Sequence, residues 1–264
     1  MDCIEKWFFP GTAIGTILRL RPMAISLLEK YAMDPWDSNQ ASIHEHCEAK
    51  RITLSAFLAE MKDLPEPEED TDWKTRPIYH LVDHLAREHW EFLNRLLPAI
   101  KNVLAQEYAA NAESLRRLRN LIEEWPTFSA ALEAHIHQEE AFLFPKILQY
   151  DYSLRHKGFH PDFAGGTVDV YVALRMLGNE KEQMAVVRRF LSEVVFSKAS
   201  QDHLDSLEGR LYPLLMDLQS RLANHAALEA KVLFPMAKSV EKALIDARIS
   251  GADSEKSRTR NWIS

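Results

Sequence analysis

The segments HIHQEEAFLFP (135–145) and HAALEAKVLFP (225–235) repeat one pattern: a histidine, a glutamate four residues on, then Leu-Phe-Pro at offsets eight to ten. Four residues carry an α-helix through about one rotation, so each His–Glu pair lies on one helical face. The stripes around the pairs say which face. Leu121, Trp125, Phe128, Leu132, His135, Glu139 and Phe142 follow one another in steps of three and four, as do Leu211, Leu215, Leu218, Leu222, His225, Glu229, Val232 and Met236. Both are apolar seams of the kind that faces a bundle core, interrupted only by the His and the Glu. A carboxylate buried there without a partner costs on the order of several kcal/mol. Two carboxylates and two imidazoles in such seams call for a compensating positive charge, and a metal ion supplies it. One such pair alone reads more simply as a surface ion pair or a hydrogen-bonded core histidine. Two pairs, in matching seams with matching sequels, do not.

The rest of the chain is organised to suit a bundle. Four long periodic segments run at 77–107, 114–149, 167–198 and 201–247, and only eight glycines interrupt the whole chain. Pro77 suits a first helical turn, where its missing N–H costs nothing. Pro126 and Pro213 fall inside the second and fourth segments, where each either bends its helix or marks a late start. DYSLRHKGFHPDFAGG (151–166) reads as the loop between the second and third helices. The expected fold is all-α: an up-and-down four-helix bundle over 75–247, preceded by a small helical domain at 1–64. DLPEPEEDTDW, with its prolines and acidic run, places a linker at 65–74. Residues 248–264 read as a polar tail.

The other two helices offer further candidates. The stripe Ile78, Val82, Leu85, His89, Phe92, Leu96, Val103 is apolar apart from His89, while His80 and His84 share a face with Arg87, Glu88, Glu91 and Arg95 and read as solvated. In the third segment Ala173, Met176, Glu180, Gln183, Val187, Phe190 and Val194 place Glu180 at mid-seam. His89 and Glu180 therefore join His135, Glu139, His225 and Glu229 as metal-ligand candidates. Histidine with carboxylate suits iron, manganese or zinc and excludes a purely soft-metal site. His44, His46 and Cys47 are too close in sequence to share a helical face, which argues against zinc there. A net charge of -7 opposes nucleic-acid binding. Two cysteines, Cys3 and Cys47, cannot build a disulfide framework, and no apolar run approaches a membrane span. A cytoplasmic, membrane-free setting is the expectation.

In these residues the chain resembles the RIC (repair of iron centres) family, hemerythrin-like di-iron proteins linked to iron–sulfur cluster repair after nitrosative or oxidative stress. Gly15, Pro22, EKYAMD (29–34), Cys47 and FLAEMKDL (57–64) fit its small domain; DW at 72–73, DH at 83–84 and Pro98 continue the pattern into the first bundle helix. The resemblance implies two irons per chain, one on His135 and one on His225, bridged by Glu139 and Glu229, with iron–sulfur proteins or a diatomic ligand such as NO or O2 as partners. Three departures stand out. Where the family carries Cys-Cys-Gly-Gly after the aspartate, Asp34 is followed by PWDSN (35–39). Eight residues before Pro98, where the family has a ligand histidine, stands Trp90, with His89 beside it; a local register shift would reconcile the two. The family's third-helix histidine corresponds to Glu180. A sensor or carrier of O2 or NO, and a bundle that has lost its metal and serves as an interaction protein, remain as alternative readings.

Overall fold

The computed structural model describes residues 9–36, 41–65, 71–108, 119–156, 185–186, 189–190 and 207–260. All regular structure among them is helical apart from one isolated antiparallel bridge between Ala13 and Ser42. Four short helices come first: α1 (Ile14–Leu20), α2 (Ala24–Lys30), α3 (Ile43–Ala49) and α4 (Leu54–Lys62). Pro22 separates the first pair. Ser42 and Glu45 form a reciprocal capping box at the start of α3, which satisfies two of the donors a helix start leaves open. The α2 and α3 helices end alike, with Ala32 (φ 51°) and Arg51 (φ 59°) in the left-handed region. In each case the following amide reaches back to close the helix end, Met33 to the Leu28 carbonyl and Ile52 to that of Cys47.

Among the described residues three long helical stretches follow, each interrupted by one wide turn. The first is α5 (Ile78–Glu91), a π-helical turn at Phe92–Leu96, and α6 (Leu97–Tyr108). The second is α7 (Arg119–Gln138), a π-turn at Glu139–Leu143, and α8 (Phe144–His156). The third is α9 (Leu207–Leu228), a π-turn at Glu229–Leu233, and α10 (Phe234–Arg260). Every π-turn ends two residues before a proline, at Pro98, Pro145 and Pro235. Such a proline offers no N–H to the carbonyl four residues back, which belongs to Asn94, Ala141 or Lys231, in the middle of the wide turn. Looser i→i+5 bonding is the local alternative.

These turns correct the sequence reading beyond the His–Glu pairs. A wide turn takes up one extra residue, so the buried seam moves by one position. Phe142, placed in the seam by spacing, is 71% exposed, and Leu143 is buried instead. Likewise Leu233 and Ala237 are buried where Val232 and Met236 were expected, and Leu104 where Val103 was. Two boundaries differ as well. Asp151–His156, expected in a loop, continue α8, because Tyr150, Asp151 and Ser153 are buried and Arg155 ties the last turn to Asp151 and Glu29. The α10 helix runs past residue 247 to Arg260, with no proline to end it. Pro126 and Pro213 sit within regular helix.

The chain divides into two compact units. One comprises Met1–His84, Ala141–Val170 and Val232–Ser264; there α8 packs on α10 and on α1. Its Arg21 and Asp83 form a buried ion pair, and Asp83 also accepts from the Met23 amide, fastening α1 and α2 to the start of α5. The other unit comprises Leu85–Glu140 and Tyr171–Lys231, a helical bundle whose core joins Leu96, Ile100, Leu121, Trp125, Phe128, Leu215 and Leu218 with Phe190. Phe190 meets Trp125 and Phe128 edge-on or tilted, with ring centroids 6.3 and 5.9 Å away.

Candidate metal centre

At one end of that bundle core the apolar seams give way to polar side chains. Leu85 and Phe92 bracket His89 on the first stretch, Leu132 precedes His135 and Glu139 on the second, and Leu222 precedes His225 and Glu229 on the third. The structure brings these five residues together. His89, Glu139 and Glu229 have no exposed surface, and His135 and His225 are buried. His89 Nε2 lies 3.0 Å from Glu139 Oε2 and 3.2 Å from His225 Nε2. His135 Nε2 lies 3.2 Å from Glu139 Oε1, and His225 Nε2 is 3.5 Å from Glu229 Oε1. Phe92 closes one side with its ring edge-on to His225.

Ligand atoms fall into two sets of three, each within 4.8 Å of one another: His89, Glu139 and His225, and His135, Glu139 and Glu229. Glu139 belongs to both. Glu229 belongs only to the second, so the two carboxylates are not equivalent. Although neighbouring imidazoles stand close, none of the four oxygens of Glu139 and Glu229 accepts a hydrogen bond in proper geometry among the described residues. Buried carboxylate oxygens are normally satisfied. The donor set therefore fits hard or borderline cations, which these oxygens and ring nitrogens would bind directly.

The electrostatics point the same way. Burial opposes charge on Glu139, yet His225 and His89 beside it outweigh burial and hold its carboxyl well below the usual range. For His225, burial again opposes charge, but Glu229 and Glu139 raise its imidazole well above its ordinary value. A protonated His225 would balance the buried carboxylates here, and a bound cation would take over that role.

The remaining sequence candidates fall as follows. Trp90 is 38% exposed and points away from the cluster that holds His89. The wide turn at Phe92–Leu96, between His89 and Pro98, takes up the additional residue that the nine-residue spacing needs. His80 and His84, expected to be solvated, are half-buried: His84 packs on Trp73 at 4.9 Å and His80 on Tyr79 at 4.7 Å. Neither belongs to the two ligand sets. Glu180 lies outside the described residues, as does Cys3. His156, in the segment read as a loop, is in α8, paired with Glu29 and with its ring tilted against that of Tyr152. Spacing alone missed Glu140, whose Oε1 accepts from His89 Nδ1 at 3.2 Å. Its signal was the Glu139–Glu140 doublet, absent from the second repeat, where Ala230 follows Glu229.

Comparison with known proteins gives two findings. Residues 80–237 match the family described as hemerythrin HHE cation binding domain. Over most of its length the chain is also similar to proteins named iron-sulfur cluster repair protein YtfE. It is 20% identical to that of Citrobacter koseri over 233 residues, covering 88% of this chain and 99% of the relative. Identity is 21% to the Enterobacter sp. (strain 638) protein over the same shares, and 20% to that of Escherichia coli O8, covering 86% and 97%.

Proposed function

Because the chain belongs to the hemerythrin HHE cation-binding family, we propose that it is a cytoplasmic di-iron protein of the cluster-repair and stress-response type. The observation that carries this reading is Glu139: one buried carboxylate shared by two three-residue ligand sets. His89 and His225 with Glu139 would hold one ion, and His135 and Glu229 with Glu139 the other. Iron bound there supplies one-electron chemistry and affinity for a diatomic ligand such as NO or O2. The chain's own residues do the rest. Glu139 and Glu229 neutralise the ions' charge, the three imidazoles supply nitrogen donors, and Leu132, Leu222 and Phe92 exclude water from around them. Similarity to the YtfE proteins across nearly their whole length supports cluster repair, with an iron–sulfur protein as partner.

One observation favours a second reading. The Cys-Cys-Gly-Gly sequence is replaced by PWDSN (35–39), so the thiol chemistry of that cysteine pair is missing. A sensor or carrier of NO or O2 needs only the bundle. The deciding experiment is anaerobic reconstitution with ferrous iron, elemental analysis, and incubation of the loaded protein with a cluster enzyme damaged by NO. Recovery of that enzyme supports repair. Reversible ligand binding without recovery supports the sensor, and no retained iron refutes both.

A further inference from the structure

One imidazole is bracketed by two consecutive glutamates. His89 presents Nε2 to Glu139 Oε2 at 3.0 Å and Nδ1 to Glu140 Oε1 at 3.2 Å. In a regular α-helix consecutive side chains diverge by about 100° and would not reach the two edges of one ring. Here α7 ends at Gln138 and the π-turn opens at Glu139, so both glutamates lie at the start of the widened turn. Glu139 has no exposed surface, whereas the Glu140 side chain is 21% exposed. Glu140 is therefore placed with its side chain partly in water while its carboxyl group rests on a fully buried ring.

Building on the metal-binding reading above, we propose that Glu140 is the positioning residue of the His89 metal position. By accepting the Nδ1–H, it fixes the tautomer whose Nε2 lone pair faces Glu139 and His225, and it makes that nitrogen a stronger donor. Glu140 is not itself a ligand. It meets the ring edge opposite Nε2 and belongs to neither ligand set. A carboxylate behind a metal-binding histidine acts in this way generally, and its loss lowers metal affinity about ten- to a hundredfold. The second repeat has no such arrangement at the matching position, because Ala230 follows Glu229. The two metal positions are thus built unequally, and Glu140 acts on one of them.

The test uses the full chain with Co(II), whose visible spectrum reports its donors. Glu140→Ala should weaken one of two Co(II) sites about ten- to a hundredfold. Glu140→Gln keeps an acceptor without the charge and should fall between Glu140→Ala and the unsubstituted protein. In a His89→Ala background, Glu140→Ala should add nothing, since the two act through one contact. A second readout uses the Zn(II)-loaded protein: nitrogen-15 NMR should show His89 with its proton on Nδ1, and Glu140→Ala should shift that Nδ1 signal. Unchanged Co(II) binding in Glu140→Ala, an unchanged His89 Nδ1 signal, or a loss that persists without His89 would each overturn the proposal. Absence of Co(II) uptake by the unsubstituted protein would overturn the metal reading as well, and so marks that failure apart.

Discussion

Glu139→Gln is the most informative perturbation, because Glu139 alone belongs to both ligand sets. The substitution keeps the side chain's shape and removes its charge. An ion that binds only the native state stabilises it by about 2.7 kcal/mol when free metal stands at about a hundred times its dissociation constant. Two ions then contribute about 5 kcal/mol. For a chain of this size each kcal/mol moves the melting temperature by about 2–4 °C, so full loading should raise it by about 10–20 °C. Glu139→Gln should erase nearly all of that gain, because both sets lose their shared anion. Glu229→Gln disturbs one set only and should keep about half. Differential scanning calorimetry with and without ferrous iron under argon, together with metal analysis of each variant, gives both numbers. Equal losses in the two variants would refute the assignment of Glu139 as the shared carboxylate. A melting temperature indifferent to iron in the unsubstituted protein would refute a core site altogether.

Other perturbations test the surroundings. His89→Ala should cost one metal per chain, whereas His84→Ala should cost none, since His84 packs on Trp73 outside both ligand sets; the reverse result in elemental analysis would put the first helix out of phase. Metal uptake should release protons, because the His225 imidazole is held protonated above its ordinary range and must give up that proton to a cation. Affinity should therefore rise with pH and fall as the medium becomes more acidic; calorimetry in buffers of different ionisation enthalpy that finds no proton release would contradict this. Phe190→Ala removes a fully buried ring between Trp125 and Phe128 and should destabilise the protein by about 3–5 kcal/mol in urea titrations followed by Trp fluorescence, a loss under about 1 kcal/mol counting against its core position. Arg21→Ala leaves Asp83 buried without its charge partner and should cost a similar 3–5 kcal/mol or so by the same assay.

Much of the centre was legible because helical periodicity is a local property. Steps of three and four residues place His89, His135, Glu139, His225 and Glu229 on buried faces, and the structure gathers those five. Of His89 and Trp90, the apolar seam picks the buried residue that joins this cluster, and ungapped spacing to Pro98 picks the exposed one. Local order also gave the helical character of the leading region, where Pro22, the Ser42–Glu45 capping box and the Thr53 cap mark helix ends, although the start of α2 also depends on Asp83, which holds the Met23 amide.

Tertiary structure decided the rest. Sequence periodicity assumes one helical pitch, and three wide turns break it, so Phe142 is exposed and Leu143 buried. Proline does not foretell those turns by itself: Pro98, Pro145 and Pro235 follow one, while Pro126 and Pro213 remain in regular helix. Spacing alone therefore does not say which prolines a wide turn precedes. The pairing of Glu140 with His89 was equally out of reach, because it joins residues on different helices through the edge of one ring. So was the inequality of Glu139 and Glu229. Each stands four residues after its histidine, and only the meeting of three helices makes one of them common to both ligand sets.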